Sequence, residues 1–203
     1  PTSTCWGNGR RGLGRSGPRH AALPAGPESA RTGVLGKRCE RPFAMTMLSV
    51  LNGPILNLLG EREPEIYGST TLDSKRQRCE AFCATLGAEL DFFQSNHEGD
   101  LVDRIQAARQ SAQAIVINPA GLSFHSVPLF DALKIFPGPI VELHISNIHA
   151  RDALHRHSIL SRAATGVVCG LGPYGYIVAI QAALQMLDAL PESLPEPIRV
   201  GPR

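Results

Sequence analysis

From Met47 onward, short runs of apolar residues alternate with longer stretches in which apolar positions recur every three or four residues. Five of the short runs read as strands: "MLSVLN" from Met47, "AELDFFQS" from Ala88, "AIVINP" from Ala114, "PIVELHIS" from Pro139 and "TGVVCGLG" from Thr165. Between the first two, Leu72, Cys79, Phe82, Cys83 and Leu86 share one helical face, and Leu101, Ile105 and Ala108 do so in the next connection. Val127 to Ile135 and Tyr174 to Leu190 supply two further helices, and the Pro-rich tail over 191–203 cannot continue the last one. Repeated strand-helix units of this kind build a parallel sheet covered on both faces, and the simplest arrangement is a single flavodoxin-like, doubly wound α/β domain over residues 45–190.

In such folds ligands bind where the carboxyl ends of the strands meet the loops that follow. The five predicted ends read Asn52-Gly53, Ser95-Asn96-His97, Asn118-Pro119, His144 to Asn147, and Gly170 to Gly175. Four of them are polar, so their convergence predicts a pocket for a small polar ligand. The fifth, "GLGPYG", fits the G-x-G-x-x-G pattern of dinucleotide-binding turns. That turn belongs in the first strand-helix unit, with an acid closing a second strand about 20 residues later, whereas only a terminal helix follows here. The glycines read instead as a device that lets a helix start come close to the sheet or a neighbouring subunit.

The fourth strand runs into "VELHISNIHARDALHRHS", which collects Glu142, His144, His149, Arg151, Asp152, His155, Arg156 and His157. Alternate side chains of a strand share a face, so Glu142 and His144 should point the same way, with Ser146 in line if the extension persists. A carboxylate orienting an imidazole suits general acid chemistry, since the reference His pKa of about 6.5 lies close to neutrality. The rival is a metal site, but the His spacings match no compact zinc pattern and no Cys assists. A partner base is available in "GEREPEIYGSTTLD" after the first strand, where Tyr67 would need Arg62 or Arg151 nearby to favour its phenolate. The alternative, a Tyr packing its ring under a loop, stays open on these residues alone.

Composition narrows the class. Of 203 residues, 43% are apolar and 19% charged, and no apolar run approaches the roughly 20 residues that cross a bilayer. The net charge of +2 conceals an asymmetry: residues 1–44 carry eight Lys or Arg against two acids. That segment is rich in Gly, Pro, Ser and Arg and has no hydrophobic period, so it is expected to be disordered. It lacks the basic-aromatic alternation of a nucleic-acid tail, and Met45 and Met47 stand where an upstream-extended reading frame would leave them. Five Cys without a Cys-x-x-Cys pair or a secretory apolar segment point to a reducing compartment, the cytoplasm.

Five ordered segments, "LNGPILNLLGEREPEIYGSTT", "FFQSNHEGDLVDRI", "IVINPAGLSFHSVPLFDAL", "VELHISNIHARDALHRHS" and "GLGPYGYIVAIQAAL", together resemble the type II 3-dehydroquinate dehydratase family over Met47 to Leu187. The resemblance implies a flavodoxin-like subunit assembled as a homododecamer, a tetramer of trimers. It implies a lyase that dehydrates 3-dehydroquinate to 3-dehydroshikimate through an enolate, without cofactor or metal, in the shikimate or quinate pathway. By the same match Tyr67 is the base, Arg62 stabilises its phenolate, and His144 is the acid that protonates the departing hydroxyl. Asn118, Asp131, Ile145 and Ser146 match substrate-contact positions, Asp131 by reaching across a subunit boundary, while Glu142 and Arg151 match supporting ones.

Three positions depart from the family pattern. Ile55 stands where Asn is usual, Phe124 where His is usual with His125 beside it, and His155 where Arg is usual with Arg156 beside it. An apolar Ile55 cannot donate a hydrogen bond, and losing one preorganised donor to an enolate costs about a hundred- to a thousandfold in rate. A slow enzyme is therefore expected. The competing readings are a weakened homologue that binds a shikimate-like acid or serves as a structural oligomer, and a flavin module, which the missing Ser/Thr-rich phosphate cradle disfavours.

Overall fold

The computed structural model describes residues 45–60, 70–191 and 193. The expected disordered extension over 1–44, most of the Pro-rich tail, and the loop bearing Arg62 and Tyr67 lie outside the described residues.

Five strands form one parallel sheet: β1 Thr46–Asn52, β2 Ala88–Gln94, β3 Ala114–Asn118, β4 Ile140–His144 and β5 Gly166–Cys169. Their order is β2-β1-β3-β4-β5, the doubly wound order of flavodoxin-like domains. β3 and β4 are buried along their whole length, as central strands of a sheet covered on both faces are; their apolar runs are broken only by Asn118 in β3 and by Glu142 and His144 in β4.

The covering helices are α1 Leu72–Thr85, α2 Glu98–Ser111, α3 Val127–Lys134 and α4 Gly175–Met186. Strand alternation divides the core in two. Leu48, Val50, Val116, Val141 and Leu143 pack with Cys79 and Cys83 of α1 and with Ala179, Ile180 and Leu184 of α4. Leu51, Ile115, Ile117 and Ile140 pack with Leu101 and Ile105 of α2 and Leu129 and Leu133 of α3. Each fully buried aliphatic side chain contributes about 1.5–3 kcal/mol. Burial pushes the Cys79 thiol up to about 12 and the Cys83 thiol up to about 11, which leaves both as inert core residues.

Several element ends fall short of the sequence expectation, and two of them shape the site and the terminal helix. β4 stops at His144 rather than Ser146, because the chain turns to receive Gly170 N–H on His144 O at 3.2 Å and Gly172 N–H on Ile145 O at 2.9 Å. α4 stops at Met186 rather than Leu190. Asp188 takes φ 52°, and the N–H groups of Asp188 and Ala189 close onto Gln185 O and Leu184 O, a Schellman ending without its usual glycine.

Two glycines set the sheet's carboxyl edge. A Cβ on Gly175 would lie 2.8 Å from Leu143 Cδ1, so α4 starts tight against β4, as the glycine reading anticipated. Gly53 donates its N–H to Asn118 O at 2.8 Å, and a Cβ there would meet Pro119 O at 2.3 Å. The ends of β1 and β3 are thereby held together. Among the described residues no helix is long and apolar enough to cross a membrane.

Candidate active site

At that carboxyl edge lies a cavity of about 230 Å³. Of the residues expected at the site, Asn118, His144, Ile145, Ser146 and Arg151 line it. Glu142 sits beneath His144, and Asp131 is exposed on α3 outside the lining. Arg62 and Tyr67 lie outside the described residues.

The strand period brings Glu142 and His144 together. His144 Nε2–H donates to Glu142 Oε1 at 2.8 Å, and both side chains are almost fully buried. An ionised carboxylate can only accept, so the proton of this bond belongs to Nε2, and Nδ1 is the ring nitrogen left for the cavity. Burial pushes the Glu142 carboxyl up, but hydrogen bonds from His144, Ser158 and Ser161 outweigh it and hold the group below the usual carboxylate range. Ser161 Oγ donates a short bond to Glu142 Oε2. These two serines were not foreseen, since they reach back from irregular chain after β4, where no period signals direction. Elsewhere the histidines disperse: among the described residues no three His, Cys, Asp or Glu side chains cluster as metal ligands.

The three unusual positions all line the cavity. Phe124 stands between two imidazoles, its ring centroid 6.5 Å from that of His144 and 5.4 Å from that of His155, nearly stacked on the first and edge-on to the second. His125 is exposed and absent from the lining, so it does not take over that place. His155 Nδ1 is 2.8 Å from Asp152 Oδ2, and this hydrogen bond holds the Asp152 carboxyl below its usual range. Arg156 turns away to donate to Arg151 O at 3.1 Å, which leaves Arg151 as the arginine of the cavity wall among the described residues. Ile55 takes φ 68°, a left-handed conformation that β-branched residues avoid, and its N–H donates to Asn96 Oδ1 at 2.8 Å.

A buried polar chain lies behind the cavity. Asn118 Nδ2 donates to Tyr176 Oη at 3.0 Å, Tyr176 Oη donates to Asn52 Oδ1 at 2.6 Å, and Asn52 Nδ2 donates to Phe93 O at 3.0 Å. Burial pushes the Tyr176 hydroxyl well above the ordinary tyrosine range, with the Asn118 bond opposing, so the phenol stays protonated. Sequence reasoning missed Tyr176. The available signal was a phenol in the apolar opening turns of a helix, "GYIVAI", which must find a partner when buried.

A doubly wound α/β domain with an imidazole backed by a buried carboxylate, opening on a polar cavity at the sheet's carboxyl edge, defines an acid-base enzyme of flavodoxin-like fold. Comparison with known proteins makes the class specific. The chain belongs to the family described as dehydroquinase class II, whose model matches residues 46–184. It is 53% identical over 142 residues to a 3-dehydroquinate dehydratase of Caulobacter vibrioides, covering 70% of this chain and 97% of that protein. It is 56% identical over 139 residues to one from a Janthinobacterium species, covering 68% and 96%. Among solved structures, the type II dehydroquinase of Butyrivibrio crossotus superposes with a TM-score of 0.67 at 35% identity, covering 68% of this chain and 97% of that one. That of Propionibacterium acnes gives 0.65 at 38% identity with the same coverage.

Proposed function

We propose that the protein is a lyase that removes water from 3-dehydroquinate to give 3-dehydroshikimate in the shikimate pathway. The observation that carries the reading is the Glu142–His144 pair on the cavity of a family member. Tyr67, as phenolate beside the Arg62 guanidinium, takes the carbon-bound proton alpha to the ketone. The electron pair moves onto the ketone oxygen as an enolate, whose charge needs preset donors. The enolate then expels the hydroxyl: the ring carbon-oxygen bond breaks, a carbon-carbon double bond forms in conjugation with the restored ketone, and His144 gives its proton to the leaving oxygen, which departs as water. With Nε2 on Glu142, the proton delivered is the one on Nδ1. Asn118, the Ile145 and Ser146 segment and Arg151 are the groups we assign to holding the substrate, with Asp131 added from a neighbouring subunit.

Residues 45–190 are the catalytic domain in this reading, working in the cytoplasm as a homododecamer, a tetramer of trimers. The exposure of Asp131 away from its own chain's cavity supports a site shared between subunits. Use of the same step in quinate breakdown is the alternative pathway assignment.

Mixing purified protein with 3-dehydroquinate and following the absorbance of the conjugated enone tests the function. We expect a rise, slow for the family because Ile55 offers no side-chain donor, and none for Tyr67→Phe at unchanged assembly. No rise at high concentration of the wild-type enzyme would overturn the assignment.

A further inference from the structure

The chain of polar side chains behind the cavity has its direction fixed from one end. Phe93 O is a backbone carbonyl and can only accept, so Asn52 must turn Nδ2 toward it, at 3.0 Å. Asn52 Oδ1 then faces Tyr176 Oη at 2.6 Å, and because an amide oxygen only accepts, the phenol proton goes there. Tyr176 Oη is left with lone pairs alone for its other partner, so Asn118 must present Nδ2 to it, at 3.0 Å.

We infer that Tyr176 is a positioning residue of this active site: its hydroxyl carries the constraint of the Phe93 carbonyl to Asn118 and fixes which way the Asn118 amide faces at the cavity. One N–H of Asn118 Nδ2 is held by the phenol, and the second is the donor left for a ligand. That N–H meets an acceptor, an oxygen of the substrate, and the same constraint fixes where Asn118 Oδ1 can accept from a substrate hydroxyl. All three side chains are buried, with Tyr176 and Asn52 fully enclosed, so water does not substitute for a lost link without reorganisation. Tyr176 lies on α4, 58 residues beyond Asn118, and it ties the terminal helix to ligand binding at the ends of β1 and β3. The inference rests on the reading that Asn118 touches 3-dehydroquinate.

Steady-state kinetics with 3-dehydroquinate test it on the wild type, Tyr176→Phe, Asn118→Ala and the double variant, with folding checked by thermal unfolding. Removing only the hydroxyl frees the amide to rotate, so KM should rise about tenfold while kcat stays within about threefold. Because Tyr176 acts through Asn118, the double variant should have the kcat/KM of Asn118→Ala alone. An unchanged KM in Tyr176→Phe overturns the inference. So does a loss confined to kcat, the mark of a partly misfolded preparation, and so do losses that multiply in the double variant. Should Tyr176→Phe not fold, Asn52→Leu breaks the same chain one link away and must raise KM likewise, an unchanged KM again overturning the inference. Wild-type turnover with unaltered KM in the variants would refute only the role of Tyr176. Absence of turnover in the wild type would refute the proposed function and this role with it.

Discussion

Ile55 holds a left-handed backbone at the rim of the cavity, with nearly half its surface exposed, so little packing offsets a strain on the order of 1–2 kcal/mol. Ile55→Gly and Ile55→Asn both fit that conformation better, and each should raise stability by about 1 kcal/mol in chemical denaturation. Only Asn adds a donor, so only Ile55→Asn should also raise turnover, by about a hundredfold. Equal rates in the two variants would discard the donor reading. Glu142 is the other residue whose surroundings set a measurable sign. Its native pKa is depressed below an unfolded value of about 4.3, so its ionised form stabilises the native state above that value. The contribution is lost as pH falls through the native pKa. Denaturation at about pH 6 and about pH 4 should therefore find the wild type losing more stability on acidification than Glu142→Gln, and equal losses would show that the carboxylate is not held as its three partners imply. The Glu142–His144 pair was legible in the sequence because a strand places i and i+2 on one face. Ser158, Ser161 and Tyr176 were not, because their partners are set by tertiary crossings that leave no periodic trace.

The helices and strands themselves were legible almost throughout, since each apolar run is bounded by turn residues and each helical face repeats cleanly. The end of α4 was not, because Asp188 rather than Gly adopts the left-handed ending and no breaker precedes Pro191. The start of α4 shows the reverse case. "GLGPYG" carries a nucleotide-binding pattern, yet Gly175 is required by contact: a Cβ there would press on Leu143 Cδ1 at 2.8 Å. Gly175→Val should lift the helix from β4 and cost about 1–3 kcal/mol of stability in denaturant titration. Because the same turn leads into Tyr176, KM should rise in the same variant. A fully stable Gly175→Val would mean that α4 has slack at its first turn, contrary to the packing described.

In the assembly, one chain need not make a complete site. Asp131 matches a substrate-contact position, yet it is exposed on α3 and takes no part in lining the cavity of its own chain. If the proposed assembly brings a neighbour's Asp131 to the His144 cavity, every site is built from two chains, a consequence of closed symmetry. Asp131→Ala and His144→Ala should then each be inactive at unchanged solution size, because each spoils one half of every site. Unfolded and reassembled together in equal amounts, they should regain activity. A cavity contributed by the Asp131→Ala chain keeps its His144, and a neighbour contributed by the His144→Ala chain keeps its Asp131. Random mixing pairs them so in about a quarter of the sites, and about a quarter of wild-type turnover is the expected recovery. No recovery, in mixtures whose size by light scattering equals that of the wild type, would return Asp131 to a role within its own subunit.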